Sequence, residues 1–127
     1  MTRLNQEPQR ILLCIDDSHA ISTHEKALFE NSGFIVVTAL SAPQGLKLAM
    51  MFHFDAVLLD YQMSGVDGHQ LALEMRHIRS DTPVIMFSHT EIPEETRRLV
   101  DAVVTETVSR EEVVSAVARI CDRASSA

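Results

Sequence analysis

Short runs of apolar residues along this chain alternate with stretches in which apolar residues recur every three or four positions. The runs read as strands and the periodic stretches as helices. The first run, Ile11–Ile15, is continuously apolar and stops at Asp16-Asp17, as expected of a strand buried on both faces. Ser18 then offers an N-cap for a helix that ends at Asn31-Ser32-Gly33, with Gly33 as the stop. Phe34–Leu40 is a second strand. Ser41 caps a second helix that tolerates Pro43 in its first turn and gathers Ala42, Leu46 and Ala49 on one face. Phe54–Leu59 is the third strand, with Asp60 at its C-terminal end. A loop over Tyr61–Val66 leads to a helix opened by Asp67 and lined inside by Leu71, Met75 and Ile78. Pro83–Phe87 is the fourth strand and ends at Ser88. Pro93 starts a short helix to about Val100. Ala102–Val104 is a short fifth strand that ends at Thr105, and Ser109 caps a last helix carrying Val113, Val117 and Ile120, with Val114 and Cys121 beside them.

Strict alternation of five strands with five helices predicts an α/β fold with a parallel sheet between two layers of crossover helices, the fourth helix being shortened. The strand order 2-1-3-4-5 is borrowed from the flavodoxin-like type of doubly wound sheet. In such sheets ligands bind beyond the carboxyl ends of the strands, and this sequence puts Asp16, Asp17, Asp60, Ser88 and Thr105 there. A single Asp after a strand is ordinarily a turn or cap residue, but three converging carboxylates repel one another and call for a cation. An all-oxygen ligand set points to Mg²⁺, with Mn²⁺ as a substitute, rather than zinc. One carboxylate is then available as a nucleophile toward phosphorus, giving an aspartyl phosphate.

These residues resemble the receiver domains of two-component response regulators. The likeness rests on the apolar strand before Asp16-Asp17, on the segment from Asp55 through Asp60 and Gln62-Met63 to Asp67-Gly68, and on Pro83–Ser88; it runs from about Arg10 to about Arg123. It implies that Asp60 is the phosphoacceptor, that Asp17 binds Mg²⁺ directly and Asp16 through water, and that the backbone carbonyl of Gln62 completes the protein's share of the metal shell. It further implies that Ser88 senses the phosphoryl group and that Gln62 and Thr90 set its lifetime. The implied partners are a histidine kinase or phosphotransfer protein and a downstream protein, with pairing of two copies through the face of the fourth helix, fifth strand and last helix. Four departures stand out: Thr105 occupies the position of the family's Lys and Glu106 that of the following Pro, Ala102 that of its aromatic switch residue, Ser64 that of a Pro after Met63, and the segment from Ser88 to Thr105 is short. Loss of a charge-assisted contact to phosphate costs on the order of 1.5–3 kcal/mol. The departures support a rival reading, a degenerate receiver that binds a partner protein without phosphorylation.

Composition narrows the field. With 127 residues, 46% hydrophobic and 23% charged, the chain suits one domain, residues 1–127 with a core of about 10–123. A formal net charge of −7 argues against direct binding to nucleic acid. No apolar run reaches the length of a membrane span and the start lacks a signal-peptide core, so a cytoplasmic location is expected for a stand-alone or N-terminal receiver. Cys14 and Cys121 read as small buried hydrophobes, the six Met as core fillers, and Glu94/Arg98 as a helix-stabilising pair. None of the six His has metal-ligand spacing: His24 and His77 read as solvent-facing, His19 and His89 as structural residues near the acidic edge. Motifs of nucleotide-binding, hydrolase and dehydrogenase folds are missing, which predicts a protein that is not an enzyme.

Overall fold

The structure, a computed structural model, describes residues 9–17, 23–63, 65–105 and 108–126. Five strands, β1 (Arg10–Ile15), β2 (Phe34–Ala39), β3 (Ala56–Asp60), β4 (Val84–Ser88) and β5 (Ala102–Thr105), alternate with α1 (Thr23–Asn31), α2 (Ala42–Met51), α3 (Gly68–Ile78), α4 (Glu94–Arg97) and α5 (Arg110–Ser126). All strand pairs are parallel and the order is β2-β1-β3-β4-β5, the doubly wound arrangement expected. Two cores flank the sheet. Leu13, Ile15, Val57, Leu59 and Met86 meet Ala49 of α2 and Leu71, Ala72 and Met75 of α3. On the other face Leu12, Cys14, Leu58 and Ile85 meet Phe29 of α1 and Val113, Val117 and Ile120 of α5. Neighbouring strand residues point to opposite faces, so a sheet covered on both sides needs unbroken apolar runs.

Local chemistry sets the helix ends. Ser41 accepts from the N–H of Gln44, and Asp67 accepts from the N–H groups of His69 and Gln70. Ser109 does more than cap α5: its Oγ accepts from Glu112 N–H at 3.1 Å while Glu112 Oε1 accepts from Ser109 N–H at 3.0 Å, a reciprocal capping box. Gly33 adopts φ 92°, which allows the chain to leave α1 and enter β2. The expected cap Ser18 lies outside the described residues, as do His19, Ser64 and Glu106.

Several expectations are corrected. Phe54 precedes β3, because Asp55 is held on β1: its N–H donates to Ile11 O at 2.8 Å and its carboxylate accepts from Ile11 N–H at 2.7 Å. Pro83 precedes β4 and offers only its carbonyl, to Val57 N–H. Helix α4 stops at Arg97 rather than near Val100. Leu99 and Val100 make tighter bonds to Thr96 and Arg97, and Asp101 N–H then joins Val84 O at 2.8 Å. Arg76 fixes this abrupt exit, donating to Leu99 O at 2.7 Å, Thr82 O at 3.2 Å and the Asp101 carboxylate at 2.6 Å. Met63, Met75 and Met86 are buried as fillers, but Met50 and Met51 are exposed, since Gly45 and Ala49 form the side of α2 turned to the sheet. His77 faces solvent.

Candidate functional site

The residues expected at the carboxyl edge stand at the ends of adjacent strands. Asp16 and Asp17 follow β1, whose last residue Ile15 is level with Leu59; Asp60 closes β3; Ser88 closes β4 and lies opposite Thr105, the last residue of β5. Asp60 is 8% exposed. Its Oδ1 accepts from Gln62 N–H at 3.0 Å. Burial, above all, pushes its carboxyl from the ordinary 3.8 up to about 6. The Gln62 N–H opposes that rise, the charge and hydrogen bond of Asp16 add to it, and the His89 ring draws it back slightly. Asp16 and Asp60, far apart in sequence, are therefore in contact, while Asp17 is exposed beside them. Among the described residues no three His, Cys, Asp or Glu side chains are gathered closely enough to cage a metal.

The strand ends are laced together by side chains of the loops. The exposed Gln62 amide bridges two segments: Oε1 accepts from His89 N–H at 2.7 Å and Nε2 donates to Thr90 Oγ1 at 3.2 Å. Ser88 is fully buried, and its hydroxyl donates to Thr90 O at 2.6 Å while accepting from Thr90 N–H at 3.0 Å. Both hydrogen-bonding roles of that hydroxyl are thus in use. Thr105 is half-buried at the same level. Ala102 lies level with Ile85 and, like Phe87, packs toward the α5 core. The His89 ring meets Phe87 edge-on, with centroids 5.4 Å apart and planes at 85°. Farther out, His69 Nδ1 lies 2.8 Å from the buried Thr96 hydroxyl, joining α3 to the short α4.

Two residues that the sequence brings near the acidic edge gain a role there only in the structure. His89, read as structural, lies close enough to Asp60 to draw that carboxyl's pKa down slightly. Gly68 starts α3 so close to the loop that a Cβ there would lie 2.5 Å from Tyr61 Cδ1 and 2.8 Å from Tyr61 O, directly after Asp60. The signal for it was present, since the helix opens with Asp67-Gly68. The cysteines lie elsewhere: both are buried, neither forms a disulfide, and burial pushes the Cys121 thiol up to about 11, as befits an unreactive core residue. Among the described residues no helix is long and apolar enough to cross a membrane.

The geometry agrees with known proteins. The family model for the response regulator receiver domain matches residues 12–118. The transcriptional regulatory protein PrrA of Mycobacterium tuberculosis is 34% identical over 79 residues, 62% of this chain and 34% of PrrA. The chain thus spans about a third of the length of that relative. A CheY-like receiver domain protein from Methanospirillum hungatei superposes with a TM-score of 0.84 at 21% identity, over 93% of this chain and 98% of the other. The response regulator TrrA from Thermotoga maritima, solved in complex with Mg²⁺ and BeF, has a TM-score of 0.79 at 23% identity, over 88% and 99% of the two chains. At these identities the two structures speak for the fold. The family match over most of the chain, together with acids and hydroxyls on one carboxyl edge, places this protein among the response-regulator receiver domains of two-component signalling.

Proposed function

We propose that Asp60 accepts a phosphoryl group from a histidine kinase or phosphotransfer protein, with Mg²⁺ bound at the acidic edge, and that the modified chain signals to a partner protein. The observation that carries this reading is Asp60 itself: a nearly buried carboxyl at a strand end, in contact with Asp16, and hard to ionise without a cation nearby. The donors suit a hard cation: Asp16 and Asp60 lie against each other, Asp17 and the Gln62 carbonyl would add oxygen on closing around the ion, and relief of the negative charge shared by Asp16 and Asp60 favours binding. Mn²⁺ is the expected substitute. Mg²⁺, when bound, offsets charge on the transferred phosphoryl oxygens.

In this reading an Asp60 carboxylate oxygen bonds to phosphorus as the bond to the donor's nitrogen or oxygen breaks, and the donor keeps that electron pair. The N–H of Gln62 holds the other part of the carboxylate in place. Ser88 then senses the group: to donate to it, the hydroxyl must give up Thr90 O, which frees the segment after β4. Gln62 and Thr90 cover the approach of water and so set the lifetime of the acyl phosphate. Thr105 supplies a neutral hydroxyl where a cation would serve better, which weakens the retention of phosphate. The unit that carries out these steps is residues 1–127 with a core of about 10–123, acting in the cytoplasm.

The test is intact mass after incubation with acetyl phosphate and Mg²⁺, for wild type and Asp60→Asn. A gain of one phosphoryl group in the wild type only is expected. No gain in either, with Mg²⁺ shown to bind, refutes phosphorylation and leaves a phosphorylation-independent docking module.

A further inference from the structure

We infer that the outer edge of β2, with the last turn of α2, is a docking surface for a second copy of this chain, the two β2 strands pairing about a twofold axis. β2 is the terminal strand on its side of the sheet, and among the described residues nothing pairs with its outer edge. An edge strand presents a row of backbone donors and acceptors ready for another strand, and proteins usually blunt it with charge, proline or a bulge. The strand Phe34–Ala39 has none of these: it carries no charged residue and no proline, and its register with β1 runs unbroken from Arg10↔Phe34 to Ile15↔Ala39. Ile35 and Thr38 are exposed along it.

The surface beside the strand is apolar and preformed. Ile35 is 44% exposed, Met50 65%, Met51 60% and Phe52 54%. They belong to one end of the molecule, because Asp55, three residues after Phe52, bonds to Ile11, and Ile11 is the register partner of Ile35. Arg79 reaches from the end of α3 to hold the end of α2, donating to Ala49 O at 2.8 Å and Phe52 O at 3.4 Å. These side chains are therefore presented on a fixed backbone, which lowers the ordering cost of association.

Charge selects the occupant. The chain carries a net charge of −7, yet between Glu30 and Asp55 it has no acidic residue at all. Two copies repel one another through most of their surfaces, and the acid-free stretch of β2 and α2, bordered by the exposed Glu30 at the end of α1, is where they meet with least opposition. An apolar, nearly uncharged strand edge is also self-complementary, as a twofold contact requires. The four exposed side chains offer on the order of 400 Å² of apolar surface, about half of the ~800 Å² per partner of a stable interface. Backbone pairing along β2 supplies part of the remainder, so a weak, concentration-dependent dimer is expected. This face lies away from α4, β5 and α5, and the inference does not depend on phosphorylation.

Sedimentation velocity of the 127-residue chain from about 1 µM to about 1 mM, with amide hydrogen exchange at both extremes, tests it. The expected result is a shift from monomer to dimer, with β2 amides exchanging more slowly at high concentration. Ile35→Lys with Thr38→Lys, and separately Met51→Lys, should each weaken the dimer about tenfold or more. Leu73→Lys, an exposed position on α3, should leave it unchanged. All the altered residues are exposed, and circular dichroism checks that each variant folds. A wild type that stays monomeric overturns the inference and leaves the edge bare or for a different protein. A dimer that survives the strand substitutions, or that Leu73→Lys weakens equally, overturns it too, because the contact then lies elsewhere.

Discussion

Replacing Asp60 with asparagine removes a charge from the least suitable place in the domain and keeps nearly the same shape. Its Oδ1 still accepts from Gln62 N–H, the bond that anchors the wild-type carboxylate. The gain follows from the proton affinity of Asp60, whose carboxyl rises from 3.8 to about 6 on folding, chiefly through burial. At about 1.4 kcal/mol per pH unit, ionising it in the fold costs about 3 kcal/mol, a ceiling since local rearrangement relieves part of it. A carboxyl that binds its proton more tightly when folded favours folding while protonated. That benefit is whole below about pH 3.8 and is lost as the pH climbs through about 6. With EDTA present, Asp60→Asn should therefore exceed the wild type by about 1–3 kcal/mol at pH 8 and match it near pH 4, the gap opening between those values. Urea denaturation at a series of pH values measures this directly. A variant no more stable than the wild type at pH 8, or a gap that does not change with pH, refutes the claim that Asp60 sits in a charge-hostile site.

Other predictions follow from particular contacts. Gly68→Ala places a Cβ against the Tyr61 backbone; it should destabilise by about 1–3 kcal/mol and move the Asp60 and Tyr61 amide resonances, and an unperturbed spectrum would contradict the close approach. Ser109→Ala breaks the capping box of α5 and should cost about 1 kcal/mol in urea denaturation, a loss under a few tenths meaning that the cap contributes little. Gln62→Met keeps side-chain length but deletes the acceptor of His89 N–H, so that amide should exchange about tenfold faster; an unchanged rate would show that the strand ends are held together by other means.

Much of the fold was legible in the residue pattern, for a local reason. A strand covered on both faces must be apolar throughout, and Ile11–Ile15 and Val84–Phe87 are; a helix covered on one side repeats every three or four residues, as Val113, Val117 and Ile120 do. Ser41, Asp67 and Ser109 mark helix starts because their side chains bond to N–H groups two or three residues on. Strand order was borrowed rather than read, since parallel neighbours are joined by packing across long connections. The sequence by itself determined which residues stand at strand ends, and so that acids and hydroxyls share one edge. Only the tertiary structure decided that Asp16 touches Asp60, that burial raises its proton affinity, that Gln62 ties His89 and Thr90 down, that α4 ends at Arg97, and that Met50 and Met51 face outward. Each of these depends on what the whole chain brings near a residue: the desolvation of a carboxyl and the exposure of a methionine are properties of surroundings, which no local period encodes.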